Sequence, residues 1–174
     1  MQLAITVLGN RNSHVLQHIL SALTRCQCSV IEIRALELVS STSMLILTEG
    51  NWNQIAKLDT ILDGLEKQLT ARICRSRQDK NAPSANGLPY TLEAMSMDQK
   101  DIVLQITEFL IERNIFIQEA KGSRYSAPYV DTPIFSAKLV IVIPSDQRLL
   151  QLREDFLDFC DNLNLDAILE PIKR

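Results

Sequence analysis

The chain is written twice. Sliding the 174-residue sequence along itself by 87 places sets Leu3, Ile5 and Val7 over Tyr90, Leu92 and Ala94. The same offset sets Val15, Leu16, Ile19, Leu23, Cys28 and Val30 over Ile102, Val103, Ile106, Leu110, Ile115 and Ile117, and Glu32 over Glu119. Further along, an offset of 94 pairs Leu45 with Leu139, Leu47 with Ile141, Leu58 with Leu152, Leu62 with Phe156 and Leu65 with Phe159. The offsets differ by seven residues, which places an insertion around Ser123 to Pro133, where Pro128 and Pro133 already demand a loop. Apolar spacing that survives on both sides of such an insertion marks a duplicated unit.

Each copy reads as strand, helix, strand, strand, helix, strand. In the first copy the elements are Gln2 to Leu8, His14 to Arg25, Cys28 to Leu38, Ser43 to Thr48, Trp52 to Leu69 and Ala71 to Arg75. In the second they are Pro89 to Met95, Asp101 to Arg113, Ile115 to Lys121, Ile134 to Ile143, Asp146 to Leu163 and Asp166 to Leu169. Val15, Leu16, Ile19, Leu20 and Leu23 form one apolar helical stripe, and Ile55, Leu58, Ile61, Leu62 and Leu65 form another. Asn51 with Gln54 three residues on has the pattern of a capping box. The expected fold is α+β: two tandem ferredoxin-like βαββαβ units, each a four-stranded antiparallel sheet with two helices on one face. Domains are expected at 1–76 and 89–174, joined by a linker over 77–88 that contains Pro83 and Gly87.

Composition narrows the function. A net charge of −3 and a scatter of basic residues argue against direct nucleic-acid binding. The densest basic group, Arg72, Arg75, Arg77 and Lys80, flanks the linker and reads as a solvated charge run. No apolar stretch reaches the length of a membrane span and no secretory leader opens the chain, so a soluble, cytoplasmic protein is expected. Cys26, Cys28, Cys74 and Cys160 lack zinc-finger spacing and are expected as reduced packing residues. His14 and His18 stand four apart without the glutamate of a zinc-protease motif. No metal, no cofactor and no catalytic residue is expected, because no nucleophile–base set and no glycine-rich phosphate loop is present.

A tandem βαββαβ pair without catalytic residues resembles the ACT family of regulatory domains. The segments "CQCSVIE" (26–32), "EGNWNQIAKLDTIL" (49–62) and "APYVDTPIFSAKLVIVIP" (127–144) are similar to those of the glycine cleavage system transcriptional repressor family, and the resemblance spans nearly the whole chain. It implies a cytoplasmic co-regulator of repressor type. Such a protein does not bind DNA itself but contacts a LysR-type DNA-binding activator of the glycine cleavage genes, with glycine or another small amino acid weakening that contact. The alternative is an amino-acid-sensing regulatory subunit of a biosynthetic enzyme. A homodimer formed through edge strands is an open arrangement.

In ligand-binding ACT units the loop before the first helix typically reads Asp-Arg-Pro-Gly, and the glycine admits the ligand to the backbone. The aligned residues here are Arg11-Asn12-Ser13-His14 and Asp98-Gln99-Lys100-Asp101, so neither copy keeps it. Asn10, Arg11, Asn12, Ser13 and His14 are the candidate ligand contacts of the first copy, weighed against plain helix capping with Ser13 as the cap. In the second copy Asp101 is expected to lay its own carboxylate on the helix N-terminus and close that slot. Trp52 is either a partner anchor or a ring packed over the start of its helix, closing the core. Tyr129, Asp131 and Thr132, in "YSAPYVDTPIF", are the other candidate partner contacts.

Overall fold

The computed structural model describes residues 1–11, 14–78, 86–97, 101–126 and 133–172. These divide into two units, Met1–Pro83 and Ser84–Arg174. Unit 1 comprises β1 (Gln2–Asn10), α1 (Val15–Arg25), β2 (Ser29–Leu38), β3 (Ser41–Glu49), α2 (Trp52–Gln68) and β4 (Arg72–Gln78). Unit 2 comprises β5 (Leu88–Met97), α3 (Ile102–Ile111), β6 (Phe116–Tyr125), β7 (Ile134–Ile143), α4 (Leu149–Asn162) and β8 (Asp166–Pro171). Each unit holds a four-stranded antiparallel sheet, in the orders β2-β3-β1-β4 and β6-β7-β5-β8.

Alternation decides which face of each sheet is covered. Leu3, Ile5 and Val7 of β1 and Met44 and Ile46 of β3 point one way, and Val15, Ile19, Leu23, Ile55, Leu58 and Leu62 of the two helices close over them. Tyr90, Leu92, Leu139 and Ile141 pack likewise beneath Ile106, Leu110, Leu152 and Phe156. At about 25 cal/mol per Å² of apolar surface removed from water, each fully buried Leu or Ile contributes roughly 2 kcal/mol.

The duplication reaches into the backbone. Of the seven described non-glycine residues with positive φ, six form three pairs of equivalent positions, His14 with Asp101, Gln27 with Asn114 and Thr70 with Asn164, and the seventh is Val39. Four of these six terminate helices. The N–H of the next residue donates five residues back: Cys28 to Leu23 O, Ala71 to Glu66 O, Ile115 to Leu110 O and Leu165 to Cys160 O. A bulge also recurs, at Val30/Glu32 in the β2–β3 ladder and at Ile117/Glu119 in the β6–β7 ladder.

The ladders correct one offset. Ile5 faces Ile46 on β3, and its counterpart Leu92 faces Leu139 on β7, so these strands superpose at 93, not 94. Leu45 is accordingly about half exposed while Leu139 is buried. Six of the seven extra residues lie between β6 and β7, and the seventh lies between β7 and α4. The offset of 94 holds again from the second helix onward, where Leu58 and Leu152 are both buried.

The units differ in how their helices meet. Small Ala22 lets α1 and α2 pack closely. At the equivalent position unit 2 has Phe109, whose ring lies 5.6 Å from that of Phe156 and 4.7 Å from that of Phe159, so aromatic rings bridge α3 and α4.

Candidate functional site

The start of α1 is the point to which the sequence directs attention. β1 ends at Asn10, paired across the ladder with Ser41. Beyond it the Arg11 N–H donates to Ser40 O at 3.0 Å, pinning the chain to the β2–β3 turn. Asn12 and Ser13 lie outside the described residues. His14 is the N-cap, so α1 starts one residue later than expected and the capping position is not Ser13's. His14 sits at φ 48°, ψ 35° and its side chain makes no capping hydrogen bond. His14 thus keeps in its backbone the left-handed conformation that a glycine would adopt freely.

A pocket of about 380 Å³ opens there. One wall is His14, Val15, Leu16 and Gln17; the other is Ala35, Leu36 and Glu37 of β2 with Thr42 of β3. Arg11 stands at its edge in an ion pair with Glu37, 3.0 Å apart, both side chains more than half exposed. Such a pair contributes little stability in water. It is a matched set of opposite charges beside a helix N-terminus, whose first-turn N–H groups have no intrahelical acceptor. Chemically the pocket suits a small zwitterion: a carboxylate for Arg11 and the helix end, an ammonium for Glu37. Of the five expected ligand contacts, the structure gathers Arg11 and His14 into the pocket and leaves Asn10 on the strand end.

Glu37, Leu36 and Thr42 were not expected there. Their nearness to α1 follows from the β2–β3 register, which no local motif announces. The β2–β3 turn itself is apolar, with Leu38 exposed and Val39 95% exposed at φ 46°, a costly conformation for a β-branched residue.

The second slot departs from expectation. Asp101 caps α3 by position, at φ 71°, yet its carboxylate makes no hydrogen bond to the helix end. Residues 98–100 lie outside the described set.

At the opposite end of unit 1, the Asn51 side chain accepts from the Gln54 N–H at 2.9 Å, and Gln54 Oε1 accepts from the Asn51 N–H at 2.7 Å. This is the reciprocal box read from the sequence. Trp52, the first helical residue, is 67% exposed, so the ring does not close the core. Tyr129, Asp131 and Thr132 lie outside the described residues.

Cys26, Cys28 and Cys160 are buried free thiols and Cys74 is exposed. Burial, and the neighbouring Asp161, push the Cys160 thiol up to about 11; burial, then Cys26, push Cys28 up as well. Arg75 is not the freely solvated residue expected of the basic run. It donates to Asp63 Oδ1 at 2.6 Å and to Asp59 O at 3.1 Å. Its burial lowers the guanidinium pKa, but the hydrogen bond to Asp63 and the charges of Asp63, Asp59 and Glu66 more than offset that, for a net rise. Among the described residues, no group of three or more His, Cys, Asp or Glu is placed to hold a metal, and no helix is long and apolar enough to cross a membrane.

Two four-stranded antiparallel sheets of this strand order, each carrying two helices, define a tandem of ferredoxin-like βαββαβ units of the ACT type of fold. Residues 1–74 match the ACT domain family model. Two of the solved structures that match do so nearly end to end. One is a protein provisionally named a glycine cleavage system transcriptional repressor, 21% identical with a TM-score of 0.76, covering 99% of this chain and 98% of that one. The other is an unknown protein from Galdieria sulphuraria, 18% identical with a TM-score of 0.79 and the same two coverages. No curated protein matches the sequence.

Proposed function

We propose that this protein is a transcriptional co-regulator of repressor type that acts on the glycine cleavage genes by contacting a LysR-type activator, and that a small amino acid such as glycine weakens the contact. The observation that carries the reading is the end-to-end likeness, across both units, to a protein provisionally named a glycine cleavage system transcriptional repressor. The acidic balance of the chain agrees with action through a protein and not through DNA. The exposed Trp52 ring supplies the kind of aromatic surface that anchors a protein partner.

Amino-acid control has a physical route in the pocket beside α1. A zwitterion that pairs with Arg11 and Glu37 separates them from one another and fixes the β2–β3 turn against the helix start, with Leu36, Leu38 and Val39 held in the new position. A partner that reads that apolar turn binds one arrangement better than the other, which is all that coupling requires.

The test is a mobility-shift titration of the full chain against a LysR-type activator bound to its glycine cleavage promoter. A slower-migrating ternary species that recedes on adding glycine is the expected outcome. Absence of that species with both proteins folded overturns the reading. Calorimetry of the full chain with glycine and then with propionate isolates the ligand step: glycine is expected to bind and propionate, lacking the ammonium, is not. Glu37→Gln is expected to weaken glycine binding about tenfold, the loss of one charge-assisted contact.

A further inference from the structure

We propose that the outer face of α3 and α4 in unit 2 seats a basic amphipathic helix of a partner protein. This rests on the reading above that the chain acts through protein contact, and it assigns a surface and a chemistry to that contact.

Three observations converge on this face. First, a groove of about 630 Å³ runs between the two helices, floored by Phe109 and Phe159. It exists because the rings hold α3 and α4 apart where Ala22 lets α1 and α2 close. Second, beside the groove and outside its lining, the outer side of α3 exposes Leu104 (54%) and Ile111 (61%), seven apart on one stripe. Two large apolar side chains on one exposed stripe are surface that a partner can cover. Third, the apolar surface is set among carboxylates. α3 and α4 carry Glu108, Glu154, Asp155, Asp158 and Asp161 against Arg153, whereas α1 and α2 balance Asp59, Asp63 and Glu66 with Arg25, Lys57 and Lys67.

The chain itself shows what this groove accepts. The Arg113 guanidinium lies 3.8 Å from the centre of the Phe109 ring, with Asp155 at 3.7 Å and Glu112 at 3.9 Å. A cation is thus held on an aromatic face by carboxylates at the rim, a favourable arrangement once water is displaced. Glu108 and Asp158 line the same groove with no ion pair to Arg113, and they are exposed. A second copy of this chain presents the same acidic surface and would meet it with like charge, so self-pairing is disfavoured. A helix with leucines along one stripe and arginines or lysines beside it satisfies both the apolar stripe and the carboxylates.

The probe is a synthetic helical peptide of about 18 residues built from Leu, Ala and Arg, long enough to hold a helix when docked, titrated into the isotope-labelled full chain. Saturable binding is expected, with amide shifts clustered on α3 and α4 around Glu108, Ile111 and Asp158. A peptide with every Arg changed to Glu is expected not to bind, and one with every Leu changed to Gln to bind much more weakly. The triple variant Glu108→Lys, Glu112→Lys, Asp158→Lys alters only exposed positions and is expected to lose at least about tenfold in affinity. Absence of saturable binding, shifts confined to unit 1, or an unchanged affinity in the triple variant each overturns the proposal. Self-association of the chain that the triple variant abolishes does so too, since the occupant is then a second copy. Run in the promoter mobility shift, the triple variant separates the two ideas. A ternary species that survives the substitutions sinks this surface and leaves the co-regulator reading standing. Peptide binding without any ternary species does the reverse.

Discussion

Thr70 ends α2 at φ 49°, a left-handed conformation in which a β-branched side chain crowds its own backbone at a cost of about 1–2 kcal/mol. The equivalent residue of unit 2 is Asn164, at φ 52°, which tolerates it better. Thr70→Asn is therefore expected to stabilise unit 1 by about 1 kcal/mol, seen as a thermal midpoint several degrees higher in calorimetry. His14→Gly is expected to relieve similar strain; if the imidazole's position serves the pocket, glycine affinity changes in the same variant. The thiols give a pH signature. Cys160 is held near 11 in the fold, above the value of an unfolded thiol, so its contribution is whole below about pH 8.5 and is lost as pH rises toward 11. Wild type is expected to lose more stability than Cys160→Ala over that interval, and a thiol reagent at neutral pH to label Cys74 first.

Among the elements, α2 has both a strength and a weakness. Asn51→Ala removes a reciprocal cap and is expected to cost about 1 kcal/mol. Gly64 sits inside the helix with no atom within 4 Å of where a Cβ would lie, so Gly64→Ala is expected to return nearly as much, measured by denaturant midpoint. Which strand faces were buried was harder to read than which segments were strands. Met44 to Leu47 and Leu139 to Ile143 are unbroken apolar runs, and without alternation a one-residue slip costs the pattern nothing. That is why the offset of 94 fits the sequence as well as 93, although only the latter keeps Ile46 and Leu139 on the helix side. The capping box, by contrast, was legible because its two partners are three residues apart and need no tertiary information.

At the scale of the chain, the duplication was legible because each copy has to bury its own core, and the two clusters share no residue. Residues 1–78 and 86–174, produced separately, are accordingly expected to fold, each with a cooperative thermal transition and dispersed amide resonances. The site was legible only in outline. Arg11 and His14 lie in the stretch that precedes the helix, but their opposite wall is contributed by β2, more than twenty residues on, and Trp52 has no alternating pattern to say whether its ring turns inward. The exposed indole has a practical corollary. As the sole tryptophan it dominates the protein's ultraviolet emission, and, already bathed in water, it will glow at nearly the same wavelength before and after denaturation. Fluorescence is thus a poor thermometer for this molecule and a good doorbell: a blue shift on mixing with another macromolecule reports contact at the start of α2.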